Sequence, residues 1–124
     1  MEHLYVIGID YGTDSVRALL ADAESGEEIA VAVCNYSRWG RGLYCDTAKS
    51  QFRQHPLDYL EGLEQVLRQV IAQCPAPEAI RAIAVDTTAS TPCLVDRTCT
   101  PLSLTAGYEE NPDATVSYTH LRAH

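Results

Sequence analysis

The apolar positions fall first into short runs and later into one helical stripe. Leu4 to Ile9 is a continuous apolar run, the pattern of a strand buried on both faces. It ends in the tight polar turn Asp10-Tyr11-Gly12-Thr13, after which Val16 to Leu20 resumes an apolar stretch that closes at Asp22. Ala23 to Glu27 is a second turn, in which Gly26 accepts positive φ at low cost. Ile29 to Tyr36 predicts a third strand, with Ile29, Val31 and Val33 alternating against Ala30, Ala32 and Cys34. Two tight turns between three strands predict an antiparallel meander. Ser37 to His55 is irregular and long for a plain connector, and such loops often carry function.

Pro56 then opens a helix, because proline is tolerated at the first helical position. Leu57, Leu60, Leu63, Leu67, Val70 and Ile71 recur at spacings of three and four, one apolar stripe. Asp58 and Glu61 lie near the positive end of the helix dipole. Cys74-Pro75 stops the helix, since the residue before proline is pushed out of helical geometry. Ile80 to Asp86 predicts a fourth strand, parallel to the first. Thr91 to Val95 and Pro101 to Leu104 predict two further short strands around Asp96-Arg97-Thr98. Strand, strand, strand, helix, strand is the opening order of the α/β ribonuclease-H-like fold that actin-like ATPases share. On this reading the domain is incomplete, because its sheet would lack helices on one face.

Composition narrows the function classes. The 124 residues suffice for one core, and 46% hydrophobic with 21% charged residues is a globular balance. Seventeen acidic against nine basic side chains give a net charge of −8, the wrong sign for gripping nucleic acid through phosphates. No window of about 18 apolar residues predicts a membrane span. Met1-Glu2-His3 lacks the basic start of a signal peptide. The five cysteines are odd in number and form no C-x-x-C pair, which suits reduced thiols in the cytoplasm.

Asp10 and Asp86 each end a predicted strand. If those strands are parallel neighbours, both carboxylates sit at the edge where open α/β sheets bind ligands. Two carboxylates there suit a hard cation such as Mg²⁺. Gly12 lets the backbone approach closely, and successive N–H groups in such a turn form an anion-binding concavity to which the Thr13 and Ser15 hydroxyls add. Phosphoryl transfer needs positioned donors and a metal. No Walker sequence is present. Taken alone, the turn equally suits an ordinary polar hairpin, and the pairing with Asp86-Thr87-Thr88 is what favours phosphate. Asp86 to Pro92 offers small polar groups for a polyhydroxylated substrate, or a capping turn. Trp39 and Tyr44 could stack on a sugar or cover the core edge. His55 is better suited to ordering the turn before the helix than to acting as a base.

These residues resemble the FGGY carbohydrate kinases, and within them the L-ribulokinases. Asp10, Gly12, Thr13, Ser15 and Arg17 meet the family's first phosphate motif, Asp-x-Gly-Thr-x-Ser-x-Arg, in full. The narrower likeness lies in Arg38-Trp39, Gly42 to Asp46, Gln51 to Tyr59, Val85 to Pro92 and Glu110-Asn111-Pro112, so that residues 4 to about 115 are covered. The resemblance implies ATP-dependent phosphorylation of L-ribulose to L-ribulose 5-phosphate in arabinose catabolism. It implies that Asp10 organises Mg²⁺ and the ATP phosphates, with Gly12, Thr13, Ser15 and Arg17 beside them. Asp86, Thr88, Ala89 and Ser90 would border the sugar. The family's general base and adenosine-binding lobe would lie beyond residue 124, so that the chain alone would be an inactive fragment, with homo-oligomerisation of the parent left open.

Three departures qualify the likeness. Ala89 stands where many ribulokinases have glycine. Cys99 stands where the family commonly has glycine in an Asp-x-x-Gly turn, at a cost of about 1 kcal/mol if positive φ is needed. Residues 1–115 read as part of the family's first lobe, whereas 116–124 depart from it and read as a foreign or disordered tail. The competing classes are another pentulose kinase of the family using D-ribulose or xylulose, a ribonuclease-H-like two-metal nuclease, and a non-catalytic ATP-binding module.

Overall fold

The computed structural model describes residues 3–88 and 91–117. The chain divides into two compact units, Met1–Asn35 with Leu60–Thr88, and Tyr36–Tyr59 with Ala89–His124.

The first unit is built on a four-stranded sheet of β1 (Tyr5–Tyr11), β2 (Ser15–Asp22), β3 (Glu28–Asn35) and β5 (Ile80–Thr87), in the order β3-β2-β1-β5. β1 pairs antiparallel with β2, and β2 with β3, which is the expected meander. β5 lies parallel to β1. The turn between β2 and β3 is closed by Asp22, whose carboxylate accepts the backbone N–H groups of Glu24 and Ser25, both at 2.9 Å. These bonds and His3 hold its carboxyl down to about 2.

The helix α2 (Pro56–Ala72) contributes its later turns to this unit. In those later turns the buried positions are Gly62, Val66 and Val70, followed by Cys74, a strict spacing of four. The stripe expected from the leucines is therefore rotated: Leu60 is 55% exposed, and Ile71 also faces out. The cause is Gly62. A Cβ there would stand 2.7 Å from Val16 Cγ1, so the missing side chain lets the helix lie close against β2. Ile7, Ile9, Val16, Ala18, Leu20 and Ala32 form the buried face of the sheet.

The other face is bare within this unit, which corrects the expectation that β1 is buried on both sides. Val6 is half-buried, Gly8 and Asp10 are exposed, and on β3 Val31 and Val33 are 49% and 45% exposed. A continuous apolar run records that both faces tolerate apolar residues; it does not place a covering layer among the described residues of this unit.

The second unit orders the segment that looked irregular in sequence. It holds α1 (Ser37–Gly40), a 3₁₀ turn at Thr47–Lys49, β4 (Arg53–Gln54) and β6 (Val116–Ser117). Each is too short to show periodicity. Their order comes from side chains bonding to backbone. Asp58 is 3% exposed and accepts Arg38 Nη1 at 2.9 Å, Trp39 N at 3.1 Å and Arg38 N at 3.3 Å. His55 Nδ1 accepts the Leu57 N–H at 3.1 Å, supplying a partner at the helix start where Pro56 has no N–H to give. The ordering role read for His55 is thus realised.

The two strands expected at Thr91–Val95 and Pro101–Leu104 reduce to two isolated bridges, Cys93 with Val116 and Val95 with Pro101, and a 3₁₀ turn at Leu102–Leu104. Asp96 takes over the turn, accepting Thr98 N, Thr98 Oγ1 and Thr100 N. Local bonding of this kind competes with a ladder. Val116, where the sequence shows no link to a core, is 1% exposed and pairs with Gln54. The remainder of the expected tail, 118–124, lies outside the described residues.

Candidate functional site

The register of three strands assembles the site. Asp10 is the Cα partner of Arg17 across the β1–β2 ladder and of Asp86 across the parallel β1–β5 ladder. Partners in a ladder project to one face, so the two carboxylates and the guanidinium stand in a row across three adjacent strands. All three line one cavity of about 320 Å³, with Gly8, Leu19 and Ala84 as its apolar floor. Asp10 and Asp86 are exposed there. Both lie toward the carboxyl ends of parallel strands, the ligand edge of open α/β sheets.

The turn between β1 and β2 follows at once. Gly12 N donates to Ser15 O at 2.8 Å, and a Cβ at Gly12 would meet that oxygen at 3.2 Å, tighter than a side chain ordinarily sits. Glycine is favoured here by close approach rather than by positive φ. Thr13 and Ser15 are half-buried in this turn. Thr88 N donates to Tyr11 O at 3.2 Å, extending the β1–β5 ladder so that the second polar run starts alongside the first. Burial raises the Tyr11 phenol above its usual 10.0, keeping it protonated.

The sequence-derived residues Asp10, Gly12, Thr13, Ser15, Arg17, Asp86 and Thr88 thus fall on one unit at one end of its sheet. Ala89 and Ser90 lie outside the described residues. Trp39 and Tyr44 belong to the other unit: the Trp39 ring lies 6.4 Å from Phe52, and Tyr44 stacks on His55 at 5.6 Å and donates its hydroxyl to Glu109 O at 2.9 Å. By sequence Asp58 is only an acidic residue near the positive end of the helix dipole; its bonds to Arg38 and Trp39 arise in the fold, from residues about twenty positions away.

The donor set fits a magnesium ion. No group of three or more His, Cys, Asp or Glu side chains gathers among the described residues. Two carboxylate-bearing positions side by side, open to solvent, match an ion that keeps several waters and shares phosphate oxygens. No helix among the described residues is long and apolar enough to cross a membrane.

Comparison with known proteins agrees with this geometry. No protein-family model matches the chain. The chain is 47% identical over 112 residues to a ribulokinase of Vibrio parahaemolyticus, covering 89% of this chain and 20% of that protein. It is 36% identical over 118 residues to a ribulokinase of Halalkalibacterium halodurans, covering 90% of this chain and 21% of the relative. The chain therefore spans about a fifth of the length of the curated relatives it matches. In fold it is similar to a gluconate kinase from Lactobacillus acidophilus, at a TM-score of 0.66 and 18% identity over 79% of this chain and 18% of that one. A xylulose kinase from Brucella ovis gives 0.61 and 23%, over 77% of this chain and 18% of its own. An actin-like sheet, a full phosphate motif and these relatives agree: over the part of them that it spans, the chain is similar to ribulokinases, and its fold is that of the sugar kinases.

Proposed function

We propose that this chain is the phosphate-side portion of a cytoplasmic, ATP-dependent kinase that converts L-ribulose to L-ribulose 5-phosphate in arabinose catabolism. The observation that carries the reading is the Arg17–Asp10–Asp86 row at the ligand edge of a sheet whose sequence relatives are named ribulokinases. Residues 1–115 form part of the kinase's first lobe. Asp10 offers an oxygen ligand for Mg²⁺, and the bound ion would neutralise charge on the ATP phosphates. The tight turn from Gly12 to Ser15 supplies backbone and hydroxyl donors to the transferring phosphoryl group. Arg17 places a permanent cation across from Asp10, where it balances charge without a proton to lose. Asp86 and Thr88, with Ala89 and Ser90, border the sugar through short donors and acceptors.

The net charge of −8 supports a small-molecule substrate over the nuclease reading, whose substrate carries a dense negative charge. A D-ribulose or xylulose kinase shares the same phosphate parts and differs only in the sugar pocket. A chimera separates the two: residues 4–115 replace the matching segment of the Vibrio parahaemolyticus ribulokinase, and ADP release is followed with L-ribulose, D-ribulose and xylulose. The proposal expects L-ribulose to give the highest kcat/KM; a folded chimera that prefers another pentulose overturns it. The 124-residue polypeptide by itself is expected to release no ADP in response to ribulose.

A further inference from the structure

β5 is an edge strand. The sheet order β3-β2-β1-β5 pairs it with β1 and leaves its other side open among the described residues. Every residue from Arg81 to Thr87 is exposed, with Ile83 at 54% and Val85 at 64%. The opposite edge strand, β3, differs, since its Ala30 and Ala32 are buried. Exposed edges are ordinarily blunted by proline, a bulge or a charge. In β5 the register shift and the charges of Arg81 and Asp86 fall toward the ends, and Ala82-Ile83-Ala84-Val85 between them carries none of these devices.

The ladder with β1 fixes which backbone groups face the open side. Successive residues of a strand turn their N–H and C=O alternately toward one neighbour and the other. Thr88 N donates to Tyr11 O at 3.2 Å, so Thr88 faces β1. Ala82, Ala84 and Asp86 share its phase, and Ile83, Val85 and Thr87 face outward. The Asp86 carboxylate accepts the Thr87 N–H at 2.8 Å, which stops the open ladder at that end. Ile83 and Val85 keep their backbone groups unpaired among the described residues.

Charge selects what pairs with them. β5 carries its cation, Arg81, near its start and its anion, Asp86, near its end. A second β5 laid parallel and in register would set Arg81 against Arg81 and Asp86 against Asp86, and like charges opposite one another destabilise a ladder. Laid antiparallel, each Arg81 comes to the Asp86-Thr87 end of the other strand. We propose that β5 is a docking edge for a second copy of this chain, the two strands pairing antiparallel about a twofold axis at Ala84. Ile83 of each copy then exchanges backbone bonds with Val85 of the other, and their side chains form apolar cross-strand pairs. The contact is isologous, so it closes at two copies. It is smaller than a standard protein interface, and the dimer is accordingly weak.

Sedimentation equilibrium of the 124-residue chain from about 10 μM to about 1 mM tests this, at an ionic strength that screens the net charge of −8 on each copy. The mass should rise with concentration from 13.6 kDa toward twice that value and stop there. Ile83→Lys places a charge on the open edge and should weaken the dimer by about tenfold or more. Val31→Lys makes the same charge change at a position 49% exposed on β3 and should leave the dimer unchanged. Neither substitution removes a buried side chain, so both variants should keep the parent's circular dichroism. A chain that stays monomeric throughout overturns the proposal. So does growth past two copies, or a dimer that Val31→Lys weakens as much as Ile83→Lys does.

Discussion

Gly62→Ala is a sharp probe of how α2 positions the site. The new Cβ would lie 2.7 Å from Val16 Cγ1, whereas carbon atoms in contact ordinarily stand about 3.5–4.0 Å apart. About 1 Å must therefore be found. Val16 is 0% exposed and β-branched, so it can neither move outward nor readily change rotamer. Overpacking of this kind costs about 1–3 kcal/mol. Alanine returns about 1 kcal/mol of helix propensity over glycine. The balance is a loss of about 1 kcal/mol, read from the urea midpoint by circular dichroism. Because the two terms partly cancel, the double mutant is the stricter test. Val16→Ala removes Cγ1, so the pair should be more stable than the sum of the single changes by about 1 kcal/mol or more. Additive effects, or a Gly62→Ala chain more stable than the parent, would refute the close approach. Val16 lies between Ser15 and Arg17, so the same strain should be felt at the phosphate turn.

Further outcomes follow from the turns and from Asp58. Cys99 has φ of +64° and is exposed, so Cys99→Gly relieves about 1 kcal/mol of backbone strain against a somewhat smaller unfolded-state penalty; the urea midpoint should rise slightly. Asp22 has a folded value of about 2, below its unfolded value near 3.8, so its stabilisation is complete above about pH 4 and lost as pH falls through about 2. The stability gap between the parent and Asp22→Asn should therefore close over that window, and a gap independent of pH would contradict the turn geometry. Asp58→Ala leaves Arg38 and the Trp39 N–H without their buried acceptor, at a cost of about 3 kcal/mol. Emission from Trp39, the sole tryptophan, should shift to the red before global unfolding.

What the sequence could and could not disclose follows from range. β1, β2, β3 and β5 are legible because each is a run of apolar residues bounded by polar turns, and the Asp10–Asp86 pairing follows from the parallel register of β1 and β5. The residues of the phosphate turn were legible because close approach at Gly12 leaves a fixed motif. The helix register is not legible, since leucines outweigh a glycine in any hydrophobic count while packing at Gly62 sets the buried face. The elements of the second unit were hidden because they rest on single carboxylates, Asp58 and Asp96, that bond backbone groups of residues near or far in sequence.

The central claim is that Asp10 handles phosphate-bound Mg²⁺ in a ribulokinase. Asp10→Asn in the Vibrio parahaemolyticus chimera tests it directly, with kcat measured at saturating L-ribulose across a magnesium series. The account predicts a loss of about 100-fold or more in kcat, as expected when charge stabilisation in the transition state is removed, with unchanged folding by circular dichroism. A well-folded Asp10→Asn chimera that keeps its parent's kcat and magnesium dependence would contradict it.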